Sequence, residues 1–310
     1  MFNVNKFLVV LRANEEGHSV TQFLDQHGRE LLYQGELVRL ADIKTMVMAL
    51  HQQYNQTLER DIFQGLSDDP SLHLDYDIRS LADDLRNKQP FYSFIDDPRN
   101  PFFERKDNFL KLLLTHPHLA GRYHFVHQGR VIWHPAASLD LLKKIQHSRS
   151  LLLVMTHLTY GSPGRVAEIL KHTITNIPGS FTRNTVILAR CFSFVGAYTK
   201  TSRHFNRTKV TPRAPPAFLG HLWIQHLVLV RQVEIEIARA LFGEEAAMRY
   251  RTYLCPTPNH LLTPEDFSNL LGELTHEHLS TRLTVRPWRQ IQTAFSHRHR
   301  NPTLVMAKEM

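Results

Sequence analysis

LGHLWIQHLVLVRQVEIEIARALF, residues 219–242, is the stretch that decides the class of fold. It is apolar almost throughout, carries charge only towards its end, and is far too long for a strand, so it predicts one long helix. Just before it, TVILARCFSFVGAY (185–198) reads as one or two strands. The turn TSRHFNRT and a short extended KVTP connect the two. Downstream, residues 264–279 predict a helix opened by Thr263 and Pro264, and a last helix starts at Pro287 with Trp288, Ile291 and Phe295 facing in. Upstream, Ile43, Val47, Leu50, Tyr54, Leu58 and Ile62 recur at helical spacing over 40–66, which ends near Gly65. Residues 76–90 predict a further helix stopping before Pro90, 91–103 an ordered loop anchored by Phe91, Phe94 and Phe102, and 107–115 and 138–157 two more helices. The expected fold is therefore mainly α (α+β), with one small antiparallel sheet.

Composition narrows the function. A chain of 310 residues with 42% hydrophobic content can bury a real core. The two cysteines, Cys191 and Cys255, form no CxxC or Cys/His metal pattern, which suits a reducing compartment. FLVVL near the start is too short for a signal peptide, and no stretch approaches the roughly 18 apolar residues of a membrane span. An intracellular protein with no membrane segment is expected. The net charge of +8 is unevenly spread: residues 1–150 hold 18 Lys+Arg against 19 Asp+Glu, and residues 151–310 hold 19 against 10. A basic half of this kind points to a polyanionic partner.

That half contains two similar helix starts. In SPGRVAEIL (162–170), Ser162 suits an N-cap and Pro163 the first helical position, while Val166, Ile169 and Leu170 share an apolar side. Arg165 and Glu168, three apart, are neighbours on the helix surface. Taken alone they are either a weak surface ion pair or an arginine aimed at a phosphate and held by its glutamate. TVRPWRQIQTAF repeats the design with Arg286 and Arg289, and YTKTSRHFNRTK between them carries Lys200, Arg203, Arg207 and Lys209. Together these are the cations needed to stabilise a phosphoryl transition state without a metal.

On these residues the chain resembles the tyrosine recombinases. G-R-V-A-E at 164–168 looks like their first box, Arg286-Pro-Trp-Arg289 like the second box (normally His-x-x-Arg), and Lys200 falls where the family keeps a hairpin lysine. A closer resemblance is to the recombinase-like region of fungal telomere-linked, RecQ-type helicase proteins and to Crypton-type elements. The matching stretches are DDLRNKQPFYSFIDDPRNPF (83–102), LTYGSPGRVAEIL, YTKTSRHFNRTKVTPRAPP and LTVRPWRQIQTAF. The resemblance implies an N-terminal extension (1–34), a helical core-binding-like domain (35–145) and a catalytic-type domain (146–310). It gives Arg165, Glu168, Lys200, Arg286 and Arg289 the family's catalytic positions. Arg203, Arg207, Lys209, Arg298 and Arg300 would contact DNA. Duplex DNA is the implied partner, with self-association or a helicase partner compatible with it, and the nucleus the implied location.

Two departures bear on activity. Arg286 replaces a proton-transferring histidine with a permanent cation. The nine tyrosines end at Tyr253, whereas the family nucleophile follows the second box, so the region reads as truncated before it. There is no GxxxxGK[ST] nucleotide cradle, and neither a cofactor nor a metal is expected. His276 and His278, two apart on a helix, diverge too far for a metal site. Asp83, Asp84, Asp96 and Asp97 sit beside turn prolines and suggest solvated caps. The expectation is a DNA-binding protein derived from a recombinase, inactive in strand transfer by itself. The alternatives are a structural or protein-interaction module with internally paired arginines, or a fragment of a larger recombinase/helicase protein.

Overall fold

The computed structural model describes residues 21–161, 164–179, 182–196 and 211–299. Strands β1 (Thr21–Phe23), β2 (Glu30–Tyr33) and β3 (Glu36–Arg39) lead into helix α1 (Leu40–Gln56). After a run of short turns come α2 (Asn108–Thr115), the hairpin β4 (His124–His127) and β5 (Arg130–Trp133), and α3 (Pro135–Thr159). A one-turn helix, α4 (Val166–Ile169), precedes β6 (Thr185–Leu188), β7 (Cys191–Gly196) and β8 (Thr211–Arg213). Helices α5 (Ala217–Gln225), α6 (Arg231–Phe242), α7 (Glu244–Thr252), α8 (Pro264–Leu279) and α9 (Val285–His299) complete the described chain. About 53% is helical, so the protein is mainly α with small antiparallel sheets.

The chain forms two compact units. One holds the described residues of 1–50 and 265–310 together with Gly161; the other holds those of 51–160 and 164–264. The boundary expected near residue 145 falls inside α3 and inside the second unit. The expected extension over 1–34 contributes β1 and β2 to a sheet, in the order β1-β2-β3.

In the first unit, β2 buries Leu31, Leu32 and Tyr33, and α9 buries Trp288, Ile291 and Phe295. The Phe23 and Phe295 rings meet edge to face at 5.6 Å. Thr275 of α8 donates to the Leu271 carbonyl and accepts from the Leu283 backbone, tying the α8–α9 connection to the helix it leaves.

The second unit is built round α3, in which every residue from Leu151 to Leu158 is buried, as expected of a helix surrounded by other elements. Trp223 of α5 is fully buried, and its indole N–H donates to Thr156 Oγ1 at 2.8 Å. The predicted helix over 219–242 is present, but it widens over His226–Val230, where the Arg231 N–H bonds back five residues to His226. α1 widens in the same way at its end over Thr57–Ile62. Such wide turns insert one residue and rotate the side chains that follow.

No helix forms over 76–90; the only helical residues there are the single turn Ile78–Ser80, capped by Asp77. The reason is that this segment is tied sideways. Asn100 bonds both backbone groups of Ala82 and the Phe94 carbonyl, and Asn176 donates to the carbonyls of Asn87 and Gln89. Phe94 and Phe102 are buried as expected. Asp84 caps a turn by accepting from the Arg86 N–H. Asp83 is not solvated: its buried carboxylate pairs with the buried Arg183 and also accepts the Ile187 N–H at 2.8 Å. Asp97 is buried too, accepting from Tyr92 and Arg99. Among the described residues no helix is long and apolar enough to cross a membrane.

Candidate nucleic-acid interface

Of the residues singled out in the sequence, Lys200, Arg203, Arg207, Lys209 and Arg300 lie outside the described residues, as do Ser162 and Pro163. Arg165 and Glu168 belong to the second unit; Arg286, Arg289 and Arg298 belong to the first.

Arg165 does not lie in the first turn of a long helix. It is the N-cap of α4, which is only four residues long, and its carbonyl accepts from the N–H groups of Glu168 and Ile169. A single turn sums too few peptide dipoles to hold an anion, so the expected helix-terminus contribution is absent here. What anchors α4 is burial of Val166, Ile169 and Leu170, as the apolar spacing requires. Arg165 Nε stands 4.0 Å from Glu168 Oε1, an ion pair at its outer limit, with the side chains 40% and 21% exposed.

A second arginine, Arg213 at the end of β8, shares this ground. Gly196 on β7 pairs with Thr211 on β8. A β-carbon on Gly196 would stand 2.9 Å from Arg213 Nη1 and 3.7 Å from Glu168 Oε2. A β-carbon on Gly164 would stand 3.3 Å from Arg213 Cζ and 3.0 Å from the Tyr160 hydroxyl oxygen. The guanidinium therefore lies against two bare backbones, with Glu168 Oε2 reaching the same point over Gly196, and stands 6.0 Å over the Tyr160 ring. Tyr160, at the end of α3, accepts the Gly164 N–H at 3.0 Å, fixing the turn that carries Arg165. Behind the sheet, His172 is fully buried and stacked on Phe194; burial pushes its pKa down to about 4, so it is neutral near pH 7. The arrangement puts two part-exposed guanidinium groups in the neighbourhood of one carboxylate, and guanidinium donors suit a phosphate oxygen.

In the first unit, α9 is a fifteen-residue helix that starts at Val285, two residues before the expected Pro287, so Arg286 lies in its first turn and Arg289 at the start of its second. Arg286 is exposed. Arg289 is half-buried, and its Nε is shielded from solvent with no acceptor among the described residues. Gln290 accepts from the buried Tyr33 hydroxyl at 2.8 Å. Burial raises the Tyr33 pKa, and the Arg286 charge acts against that rise. Arg298, expected on DNA, donates to the Gln26 carbonyl at 3.0 Å and lies 5.6 Å over the Phe23 ring. Its aliphatic stem fills the space where a side chain on Gly28 would stand.

Arg213 carries no box signature in the sequence, and only the β7–β8 pairing places it near Glu168. Comparison with protein-family models, characterised proteins and solved structures finds no match to this chain.

Proposed function

We propose that this protein binds duplex DNA through its phosphates, and that it derives from a tyrosine recombinase- or Crypton-like element. The observation carrying this reading is the neighbourhood of Arg165, Glu168 and Arg213, with Arg165 4.0 Å from the carboxylate and Arg213 laid against Gly164 and Gly196. Arg286 in the first turn of α9 and Arg289 just after it add two cations near the N-terminal end of a full-length helix. The basic excess of residues 151–310 supplies the long-range attraction. In this reading the nucleus is the site of action and DNA the partner, with self-association or a helicase as further partners. Arg286 at the histidine position removes the proton shuttle of the recombinase reaction, so the 310-residue chain holds DNA without transferring strands.

A second reading, a structural module with internally paired arginines, is favoured by Arg183 and Arg298, which both spend their donors inside the protein. Fluorescence anisotropy with a labelled 20-base-pair duplex separates the two. Phosphate binding predicts a fall in affinity of orders of magnitude between about 50 and 200 mM salt, with a slope near −0.9 per phosphate neutralised. Binding that is absent, or equal at both salts, supports the structural module.

A further inference from the structure

The core of the second unit holds an unbalanced set of charges. Glu234 is fully buried and is shared by two buried arginines, Arg149 and Arg231. The wide turn at His226–Val230 carries His226 round to the same carboxylate, with Nε2 at 3.5 Å. Burial lowers the His226 pKa to about 4, so this ring is neutral near pH 7. Burial alone would raise Glu234, but the charges of Arg149 and Arg231 outweigh it and hold the carboxyl at about 2. Tyr250 and Cys255, which flank the group, are kept neutral by burial. Two buried cations thus face one buried anion, and an uncompensated buried charge is strongly unfavourable.

Each arginine also lines a cavity, Arg149 a narrow one with Cys255 and Leu262, and Arg231 a wider one. Arg231 Nη2 donates to the Leu254 carbonyl at 2.8 Å, while its Nε is shielded from solvent and has no acceptor. Arg231 lines a cavity of about 340 Å³ together with Lys106, Arg239, Arg251, Gln232, Ser93 and Thr175. Arg251 stacks over Phe91 at 4.4 Å and is exposed. Arg239 is engaged by Glu236 and Glu244, and Lys106 by Asp96 at 2.8 Å. Asp96 and Asp107 also line the cavity, which limits the negative charge it accepts to one small group rather than a long polyphosphate.

We infer that this cavity is a binding site for a small phosphate-class anion, orthophosphate or a phosphomonoester, which neutralises the buried Arg149–Glu234–Arg231 group through Arg231 and is gathered in by Arg251. The site shares no residue with the Arg165–Glu168–Arg213 group and does not depend on the DNA reading. An anion that binds the folded state alone stabilises it in proportion to the logarithm of its concentration over Kd.

The test is calorimetric titration of the full chain with inorganic phosphate, and thermal unfolding in phosphate against chloride at equal ionic strength. The expected result is saturable one-to-one binding and a Tm rise of roughly 5 °C at a hundredfold excess over Kd. Arg251→Gln, at the exposed mouth, should weaken phosphate binding at least tenfold while lowering Tm in chloride by no more than about 3 °C through loss of the Phe91 stack. Arg231→Met should abolish the phosphate response, since Arg149 and Glu234 then balance; if this core variant does not fold, Arg251→Gln decides. Equal Tm in phosphate and chloride, or phosphate binding undiminished by Arg251→Gln, would overturn the proposal.

Discussion

Gly196→Ala changes no charge, yet on the proposed function it should weaken binding to duplex DNA. The added methyl would stand 2.9 Å from Arg213 Nη1, closer than real β-carbons approach such an atom. Gly196 lies within β7, among the positions without a positive φ, so alanine strains no backbone. The clashing atom is the far end of a long side chain, so the fold relieves the contact by moving the guanidinium. The expected cost in stability is under about 1 kcal/mol, in line with surface substitutions that meet a mobile neighbour. The cost in binding is larger. A displaced Arg213 forfeits one charge-assisted contact, worth roughly 1.5–3 kcal/mol, or about 10- to 150-fold in Kd. It should also reduce the salt slope by about 0.9. Anisotropy titrations of wild type, Gly196→Ala, Arg213→Gln and the double variant form a cycle. Gly196→Ala should lose nothing further in the Arg213→Gln background. If it weakens binding equally in both backgrounds, or has no effect in either, the glycine cradle does not position Arg213 for DNA.

Glu168→Ala should weaken duplex binding although it removes a negative charge; tighter binding would show that the carboxylate merely repels the polyanion. Asp83→Ala strands the buried Arg183 and should cost about 3–5 kcal/mol in denaturant unfolding, while Asp83→Leu combined with Arg183→Met should restore most of it; a loss below about 1 kcal/mol would contradict a buried pair. Hydrogen bonds from Arg99 outweigh burial and hold the Asp97 carboxyl well below the usual carboxylate range. A depressed folded pKa contributes stability that is complete above the unfolded value of about 3.9 and is lost as pH falls towards the folded one. Asp97→Asn should therefore lower stability at pH 7 and flatten its decline below about pH 4; an unchanged acid limb would show the pair to be inert. With supercoiled DNA the 310-residue chain should neither relax it nor form a salt-stable covalent adduct; an adduct lost on substituting one tyrosine would restore strand cleavage to the account.

The helices were legible because burial on one side imposes a 3.6-residue rhythm, seen in Val47, Leu50, Tyr54 and Leu58 and again in Trp288, Ile291 and Phe295. Two hairpins were not, although both share one signal. Tyr33-Gln34-Gly35-Glu36 and His127-Gln128-Gly129-Arg130 are two-residue turns with positive φ at both central residues. Gln-Gly makes the same mirror-image turn as Asn-Gly and, between four-residue strands, could have been read as one. The β6–β7 turn uses Ala189 and Arg190 in that conformation and offers no glycine to find. The helix predicted over 76–90 failed for a different reason: its competitors, Asn100, Asn176 and Arg183, lie up to a hundred residues away. The same distance hid the Arg149–Glu234 pair and the approach of Arg213 to Glu168. In the candidate site the local pair, Arg165 and Glu168, was readable from spacing, and the part assembled by sheet pairing was not.

The most direct test of a phosphate-binding role for this group is the salt dependence of duplex affinity for Arg165→Gln/Arg213→Gln against wild type. If each arginine neutralises one phosphate, the slope of log K against log salt becomes shallower by about 1.8, and wild type and variant converge at high salt. A correctly folded double variant with an unchanged slope would contradict the account.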